Sequence, residues 1–269
     1  MSRNSEYKIV STCVAPIYNN STFSSEIINQ ALFWEELVCI DVKENWLNVK
    51  QKDGYIGWVH SFYIVNSCLY DKSPFLKETN AWYFVAEKFT DITLKDKNTM
   101  SISFGSLIPS VFIENQFKVL MPNGDYGAID ENSLVKMNSS LTFAEIISLA
   151  KCLLNIPYLW GGRSSFGFDC SGFVQLLLSF LKVDFPRDTK DQIKFKDMFV
   201  VNNNFKLGDI VFFSKNNILN HVGIFIDDNE FIHSSGYVRI NSINPNSKLY
   251  DDTLFSMIHS VNRLNIINE

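Results

Sequence analysis

The feature that most constrains the fold is an internal repeat in the first half of the chain. Residues Leu37–Val65 align without a gap to Leu107–Val135, at a shift of 70 residues. Both copies consist of short aromatic and β-branched runs separated by turn residues, with no sustained helical period. Asp53-Gly54 and Asn123-Gly124 are strong signals for hairpin turns. The repeat predicts two copies of one small β-barrel; the alternative is chance similarity between two β segments.

The second half of the chain has a different pattern. Thr142-Phe-Ala-Glu145 is a capping box, and apolar residues at helical spacing follow it. A glycine-rich loop, Gly161–Gly167, precedes a second predicted helix at about Cys170–Leu181, and strand-like runs come later. Helices followed by an antiparallel meander predict an α+β fold. We therefore expect three domains, at residues 1–68, 69–139 and 140–269.

Composition narrows the classes of function. The 269-residue chain is 46% hydrophobic and 20% charged, which is typical of a folded protein. Its net charge of -5 argues against nucleic-acid binding and against adhesion to anionic membranes. The N-terminus lacks the apolar run of a secretory signal, and the five cysteines show no C-x-x-C spacing. We expect a reduced, cytoplasmic protein.

Cys170 is the candidate nucleophile. It lies in Phe168-Asp-Cys-Ser-Gly172, directly after the glycine-rich loop and at the start of a predicted helix. The partial positive charge of a helix N-terminus favours the thiolate, which is the reactive form. The alternative for this residue taken alone is a buried structural cysteine.

A cysteine nucleophile needs a base, and the base needs an orienting group. His221 opens an apolar strand, and His233 lies in the next strand, 12 residues later. A turn at Asp227-Asp228-Asn229 would bring both imidazoles near one end of a hairpin. This spacing predicts a Cys–His–His arrangement. Structural histidines or a metal pair are the alternatives, although the sequence shows no third metal ligand.

Six motifs then occur in the order of a known family. They are Tyr158-Leu-Trp-Gly-Gly, Phe168-Asp-Cys-Ser-Gly, Phe185-Pro-Arg-Asp, Leu207-Gly-Asp-Ile-Val-Phe-Phe, His221-Val-Gly-Ile and Phe231-Ile-His. Over about residues 141–267 they resemble the catalytic domain of the NlpC-type (p-sixty) cell-wall cysteine peptidases. The resemblance implies a papain-like fold with Cys170 as nucleophile, His221 as base and His233 as the third polar residue. It also implies that Tyr158 and the Cys170 backbone N–H stabilise the oxyanion, without a metal or organic cofactor.

The N-terminal repeat resembles bacterial SH3-like domains. The first copy, with its Asp53-Gly-Tyr-Ile-Gly-Trp58 motif, looks like the first such domain of enzymes that cleave γ-D-glutamyl–diamino acid bonds in free murein peptides. The second copy has Asp125 and Ala128 in place of Tyr55 and Trp58. We therefore expect the second copy to have lost any binding role.

These resemblances imply a substrate and a site for its N-terminal end. The expected reaction is hydrolysis of the γ-D-glutamyl bond to diaminopimelate or lysine in free stem peptides that begin with L-Ala, as in peptidoglycan recycling. We expect Glu26, Tyr55, Asp169 and Ser171 to hold the L-Ala end, with the first SH3-like domain closing that side. The alternatives are a turn residue for Glu26, a barrel aromatic for Tyr55 and a helix cap for Asp169.

Three further expectations concern partners and rival functions. We expect a monomer whose partner is the murein peptide, with no nucleic acid and no membrane involved. An envelope hydrolase that acts on polymeric peptidoglycan is the alternative enzyme. A binding module with an inactive catalytic domain is the alternative from another class.

Overall fold

The computed structural model describes residues 7–66 and 82–265. Residues 67–81, which include Cys68 and the expected boundary between the first two domains, lie outside the described residues. The chain divides into two compact units. The first unit contains residues 1–140 together with 160–166, and the second contains 141–159 and 167–269.

Each repeat contributes seven strands to the first unit. The first repeat contains β1 (Tyr7–Val10), β2 (Val14–Tyr18), β3 (Ile27–Leu32), β4 (Glu36–Lys43), β5 (Trp46–Lys50), β6 (Ile56–His60) and β7 (Ile64–Asn66). The second contains β8 (Trp82–Val85), β9 (Phe89–Thr93), β10 (Thr99–Ser103), β11 (Leu107–Ile113), β12 (Gln116–Leu120), β13 (Tyr126–Ala128) and β14 (Leu134–Lys136). The sheet orders are β3-β2-β6-β5-β4-β1-β7 and β10-β9-β13-β12-β11-β8-β14, so the two copies share one topology.

The 70-residue shift of the sequence is kept in the structure. β5 and β12 span equivalent positions, and both predicted hairpin turns are present. Gly54 and Gly124 adopt φ angles of +88° and +92°, in the left-handed region that favours glycine. Within the described residues, no pairing joins the two edge strands of either sheet, so closure into SH3-like barrels stays a prediction.

The second repeat shares its core with part of the first. Ile9, Phe33 and Trp34 of the first copy pack into the apolar cluster of the second, which includes Val119. The indole Nε1 of Trp34 donates a hydrogen bond of 2.6 Å to the backbone oxygen of Leu120. A buried indole N–H needs such a partner, since leaving it unpaired carries a desolvation cost. The two copies are therefore packed together within one unit.

The second unit combines four short helices with a six-stranded antiparallel sheet. Its helices are α1 (Phe143–Cys152), α2 (Cys170–Ser179), α3 (Thr189–Gln192) and α4 (Asp252–Ser256). The sheet, in the order β17-β22-β18-β19-β20-β21, is built from β17 (Met198–Val201), β18 (Ile210–Lys215), β19 (Ile218–Phe225), β20 (Glu230–Ser235), β21 (Tyr237–Ser242) and β22 (Ile258–Leu264). Two-residue strands occur at β15 (Arg163–Ser164) in the first unit and β16 (Gly167–Phe168) in the second.

Local sequence explains where the helices begin. The predicted capping box is present: the Thr142 hydroxyl accepts from the Glu145 backbone, and the Glu145 carboxylate accepts from the Thr142 backbone at 2.7 Å. α2 is buried along most of its length and packs against β19 and β20. It therefore holds its first residue, Cys170, against the strands that carry the two histidines. No helix in the described ranges is long and apolar enough to cross a membrane.

Candidate active site

Cys170 is the first residue of α2, at the position that the sequence predicts. The side chain of Asp169 caps the helix by accepting the Gly172 N–H at 2.7 Å. Cys170 is only 7% exposed. A nucleophile at the first turn of a capped and buried helix is held in a single orientation, with its own backbone N–H unused by the helix.

A buried ion pair lies beside the nucleophile. The guanidinium of Arg187 donates to both carboxylate oxygens of Asp169, at 2.9 and 2.6 Å, and to the Ser171 hydroxyl at 2.9 Å. Asp169 and Ser171 are both buried and take part in contacts within the protein. These contacts fit the helix-cap alternative for Asp169, and the substrate-binding roles of Asp169 and Ser171 stay predictions.

The thiol of Cys170 is neutral at rest. Burial, followed by the neighbouring Asp169, raises the pKa of the Cys170 thiol to about 11. Hydrogen bonds from the backbone of Val222 and the side chain of Thr189 act in the opposite direction. The helix position was expected to favour the thiolate, but removal of the thiol from water has the larger effect here. The contact with Val222, the residue that follows His221 in the sequence, places the thiol at β19.

The two predicted histidines meet in the sheet. His221 Nε2 and His233 Nδ1 are 2.6 Å apart. His233 Nε2 lies 2.9 Å from Oδ1 of Asn241, and Asn241 Nδ2 donates to the backbone oxygen of Leu249 at 3.0 Å. We call this chain of hydrogen bonds the histidine relay; its members are His221, His233 and Asn241.

The relay sets the positions of its protons. Because Asn241 Nδ2 donates to Leu249, Oδ1 faces His233 and can only accept. His233 therefore carries its proton on Nε2, and its Nδ1 accepts the proton of His221 Nε2. This arrangement leaves the Nδ1 lone pair of His221 available, as a general base requires.

The surroundings of the relay keep both imidazoles neutral. Burial, then the neighbouring His233 and Arg239, hold the pKa of His221 below its usual range. Burial is also the largest cause that lowers the pKa of His233. The rings of Phe213 and Phe231 lie 5.3 and 5.0 Å from His221 and His233 respectively. The site thus rests with a neutral thiol and a neutral base.

Gly223 makes room for the relay. A Cβ atom at this position would lie 3.1 Å from the Cβ of His233 and 3.2 Å from a ring carbon of Phe231. Any side chain at position 223 would therefore press on His233. The glycine of the His221-Val-Gly motif is explained by this contact.

Tyr158 carries the hydroxyl that is predicted to donate a hydrogen bond to the oxyanion. Its backbone N–H donates to the Gly236 oxygen at 2.8 Å. Burial, and then the neighbouring Cys170 and Asp169, raise the pKa of the Tyr158 phenol to about 12. The phenol therefore keeps its proton through the neutral range and can donate a hydrogen bond. Its role at the oxyanion stays a prediction.

Glu26 and Tyr55 belong to the first unit. The exposed carboxylate of Glu26 accepts a hydrogen bond of 2.7 Å from Nε1 of Trp160. Tyr55 is part-buried, and its backbone N–H is bonded to Asp53 in the hairpin turn. Their predicted roles in binding the L-Ala end are not tested by these contacts.

Sequence reasoning missed two features near the predicted residues. Asn241 escaped notice because the strand that carries it, β21, was not recognised. The contacts of Trp160 and Arg163 with the first repeat were also missed; Arg163 binds Gln30 and Glu35. The available signal for Asn241 was its position: it is a polar residue eight positions after His233, in a strand where polar and apolar residues alternate.

Comparison with known protein families gives a match over part of the chain. Residues 155–259 match the model of the NlpC/P60 family. Residues 155–259 form an NlpC/P60 domain. The domain contains Tyr158, Cys170 and the whole relay, and all of it except residues 160–166 lies in the second unit.

Two relatives match over most of the chain. Over 234 residues the chain is 27% identical to a gamma-D-glutamyl-L-lysine dipeptidyl-peptidase of Bacillus cereus, covering 79% of this chain and 68% of the relative. Over 280 residues it is 23% identical to dipeptidyl-peptidase 6 of Lysinibacillus sphaericus, covering 95% and 98%. The match to the NlpC/P60 family and these two relatives support a peptidase.

A solved structure has a similar fold. The structure of an NlpC/P60 family protein from Bacillus cereus aligns with a TM-score of 0.83 and 20% identity, over 96% of this chain and 99% of that one. At this level of identity the likeness concerns the fold. The NlpC/P60 fold, with strand-rich sheets and few helices, is therefore confirmed.

Proposed function

We propose that the chain is a cysteine peptidase that hydrolyses the bond between the γ-carboxyl of D-Glu and a diamino acid in short peptides beginning with L-Ala. The observation that carries the proposal is the extent of the match to dipeptidyl-peptidase 6, which includes the N-terminal repeat as well as the NlpC/P60 domain. A dipeptidyl-peptidase releases two residues from a free N-terminus. The diamino acid is lysine or diaminopimelate.

The first half-reaction forms a thioester. His221 Nδ1 takes the proton of the Cys170 thiol as Sγ attacks the γ-carbonyl carbon. Because thiol and imidazole are both neutral at rest, proton transfer and attack belong to one step after substrate binding. The oxyanion then accepts from the Tyr158 hydroxyl and the backbone N–H of Cys170. The intermediate collapses as His221 gives its proton to the leaving amine.

The second half-reaction returns the enzyme to rest. Water attacks the thioester carbon while His221 takes one of its protons, and the bond to Sγ breaks. The thiolate regains its proton from His221, and L-Ala–D-Glu leaves with a free γ-carboxylate. His233 holds the His221 ring in place and spreads the charge of the imidazolium that forms in both steps.

The proposed recognition of the L-Ala end rests on Glu26, Tyr55, Asp169 and Ser171. Glu26 supports this best, since its carboxylate is exposed and an ammonium group needs an anionic partner. Asp169 and Ser171 already bind Arg187, so they would act as part of that cluster.

We also propose that both N-terminal sheets are SH3-like domains and that the catalytic unit is papain-like. We propose in addition that the protein works as a cytoplasmic monomer in the recycling of peptidoglycan peptides.

The test compares three substrates at equal concentration. They are L-Ala–γ-D-Glu–L-Lys, its N-acetylated form, and the same stem still attached to muramic acid. The proposal predicts rapid cleavage of the first peptide only, because only it has a free α-amine. Comparable cleavage of all three would favour the alternative, a hydrolase of polymeric peptidoglycan.

A further inference from the structure

Arg239 is a cation on the same face of the sheet as the histidine relay. It lies in β21 directly opposite His233 in β20. Directly opposed residues of an antiparallel pair project from one face of the sheet. Tyr237 and Asn241, two positions to either side, project from the same face, and the Arg239 guanidinium carbon lies 5.8 Å from the centre of the Tyr237 ring.

The charge of Arg239 has no anionic partner in the part of the chain that the structure describes. No described carboxylate lies within ion-pair distance of its guanidinium. Asp251, whose charge acts on His233, caps α4 by accepting the Leu254 N–H at 3.0 Å. The Nε atom of Arg239 is buried and has no hydrogen-bond partner. A part-buried guanidinium is thus left with unused donors.

An unpaired cation at this place opposes the reaction. Its charge disfavours protonation of both His221 and His233. The proposed mechanism forms an imidazolium at His221 in each half-reaction, so the charge of Arg239 would raise the energy of that state. An anion bound to Arg239 would remove this penalty.

We propose that Arg239 is a specificity-determining residue that binds a carboxylate of the substrate beside the histidine relay. The inference rests on the proposed function, because that substrate supplies the anion. It has two candidates: the α-carboxylate of D-Glu and the C-terminal carboxylate of the diamino acid. Either would accept two parallel N–H donors from the planar guanidinium, which suits carboxylates better than a lysine does. Binding would also neutralise Arg239 and make His221 more basic in the complex.

The experiment measures kcat/KM for three tripeptides. They are L-Ala–γ-D-Glu–L-Lys, the same peptide with the D-Glu α-carboxylate converted to an amide, and the same peptide with the C-terminal carboxylate converted to an amide. Each is tested with the wild type, with Arg239→Gln, and with Lys215→Gln. Lys215 is an exposed residue at the end of β18, so the last variant removes one positive charge of the same unit as a control.

The expected result is a loss that depends on one carboxylate. Arg239→Gln should lower kcat/KM for the unmodified peptide roughly 10–100-fold, the usual range for loss of a charge-assisted contact. One of the two amides should be cleaved as slowly by the wild type, with no further loss in Arg239→Gln. The amide that behaves in this way identifies the bound carboxylate. Lys215→Gln should match the wild type on all three peptides.

Other outcomes overturn the inference. An equal loss on all three peptides would assign Arg239 a structural role, and an absence of loss would assign it no role. If Arg239→Gln fails to fold, Arg239→Lys keeps the charge without the planar fork and should show the same dependence with a smaller loss. A wild type that cleaves none of the peptides would overturn the proposed function, and this inference with it.

Discussion

The two units bury polar groups in different ways. In the catalytic unit, His221, His233 and Asn241 form a linear relay of neutral groups, with one lone pair left over at its end. In the first unit, Gln51 bonds to Glu35 at 2.7 Å, and Glu35 pairs with Arg163 at 3.3 Å. The relay can take up a proton during turnover, because this lone pair is left free. The second network consists of amides and a formed ion pair, and its contacts hold Arg163 in place.

The second network distinguishes the two repeats. At the positions of Gln51 and Glu35, the second repeat has Met121 and Gly105. The topology of the sheet does not require the polar network, since both copies share one strand order. In the first copy the network binds Arg163, within the segment that lies between Tyr158 and Cys170 in the sequence. A buried polar network can therefore serve chemistry, as we propose for the relay, or placement, as in the network that binds Arg163.

Removal of the base should have the largest effect among the relay residues. His221→Ala should lower kcat by roughly 10²–10⁴-fold, the usual contribution of general acid–base catalysis. His233→Gln should retain measurable activity, because an amide oxygen can accept the His221 Nε2 proton. Timed assays of cleavage of the free tripeptide would measure kcat for both variants. Equal and complete loss in the two variants, together with sensitivity to chelators, would indicate a metal site instead of a relay.

Tyr158 lies outside both networks and should affect turnover alone. Tyr158→Phe removes one hydroxyl donor from the proposed oxyanion site and should slow kcat roughly 10²–10³-fold. KM should change little, since the contact forms in the transition state. A higher KM with an unchanged kcat would place Tyr158 in substrate binding.

Asn241 offers the sharpest test of the relay. Asn241→Leu leaves the Nε2–H of His233 buried without an acceptor, and kcat should fall roughly 10–100-fold. Asn241→Asp keeps the acceptor but adds a negative charge, which raises the pKa of His233 and His221. In the wild type, both imidazoles have lowered pKa values. The acid limb of kcat/KM should therefore lie well below pH 6.5, which is the ordinary pKa of histidine.

The two Asn241 variants separate a relay from simple packing. In Asn241→Asp the acid limb should move to higher pH, since the protonated and inactive base then persists at higher pH. A packing role would lower the rate in both variants and leave the acid limb in place. That result would contradict the relay.

The network of the first unit should affect stability and leave the pH profile unchanged. Glu35→Gln leaves the Arg163 charge unpaired and should lower the free energy of unfolding of the first unit by about 1–3 kcal/mol. Urea titration followed by tryptophan fluorescence measures this unit alone, because all five tryptophans belong to it. Asp125→Asn, which breaks the exposed pair with Lys95, is the matched control and should change the value by less than about 0.5 kcal/mol. A shift of the acid limb in Glu35→Gln would mean that the two networks do not differ in the way described.

Sequence patterns predicted the structural features that depend on a few neighbouring residues. The repeat, both hairpin turns, the capping box at Thr142 and the helix that begins at Cys170 all appear in the structure. These features depend on neighbouring residues, so local patterns suffice to predict them. The meeting of His221 and His233 also followed from hairpin spacing.

The features that the sequence did not predict depend on contacts between residues far apart in the chain. β21 alternates apolar residues with Tyr237, Arg239 and Asn241, and this polar content concealed a strand whose polar face lies beside the relay. The neutral state of Cys170 could not be predicted either, because burial by the sheet outweighs the local effect of the helix N-terminus.

The central claim is that Cys170 and the histidine relay cleave the γ-D-glutamyl bond of a short free peptide. Mass spectrometry of L-Ala–γ-D-Glu–L-Lys, incubated with the wild type and with Cys170→Ala, tests it most directly. The wild type should release L-Ala–D-Glu and lysine, and the variant should release no product. Cleavage at another bond, no cleavage by the wild type, or substantial activity in Cys170→Ala would contradict it.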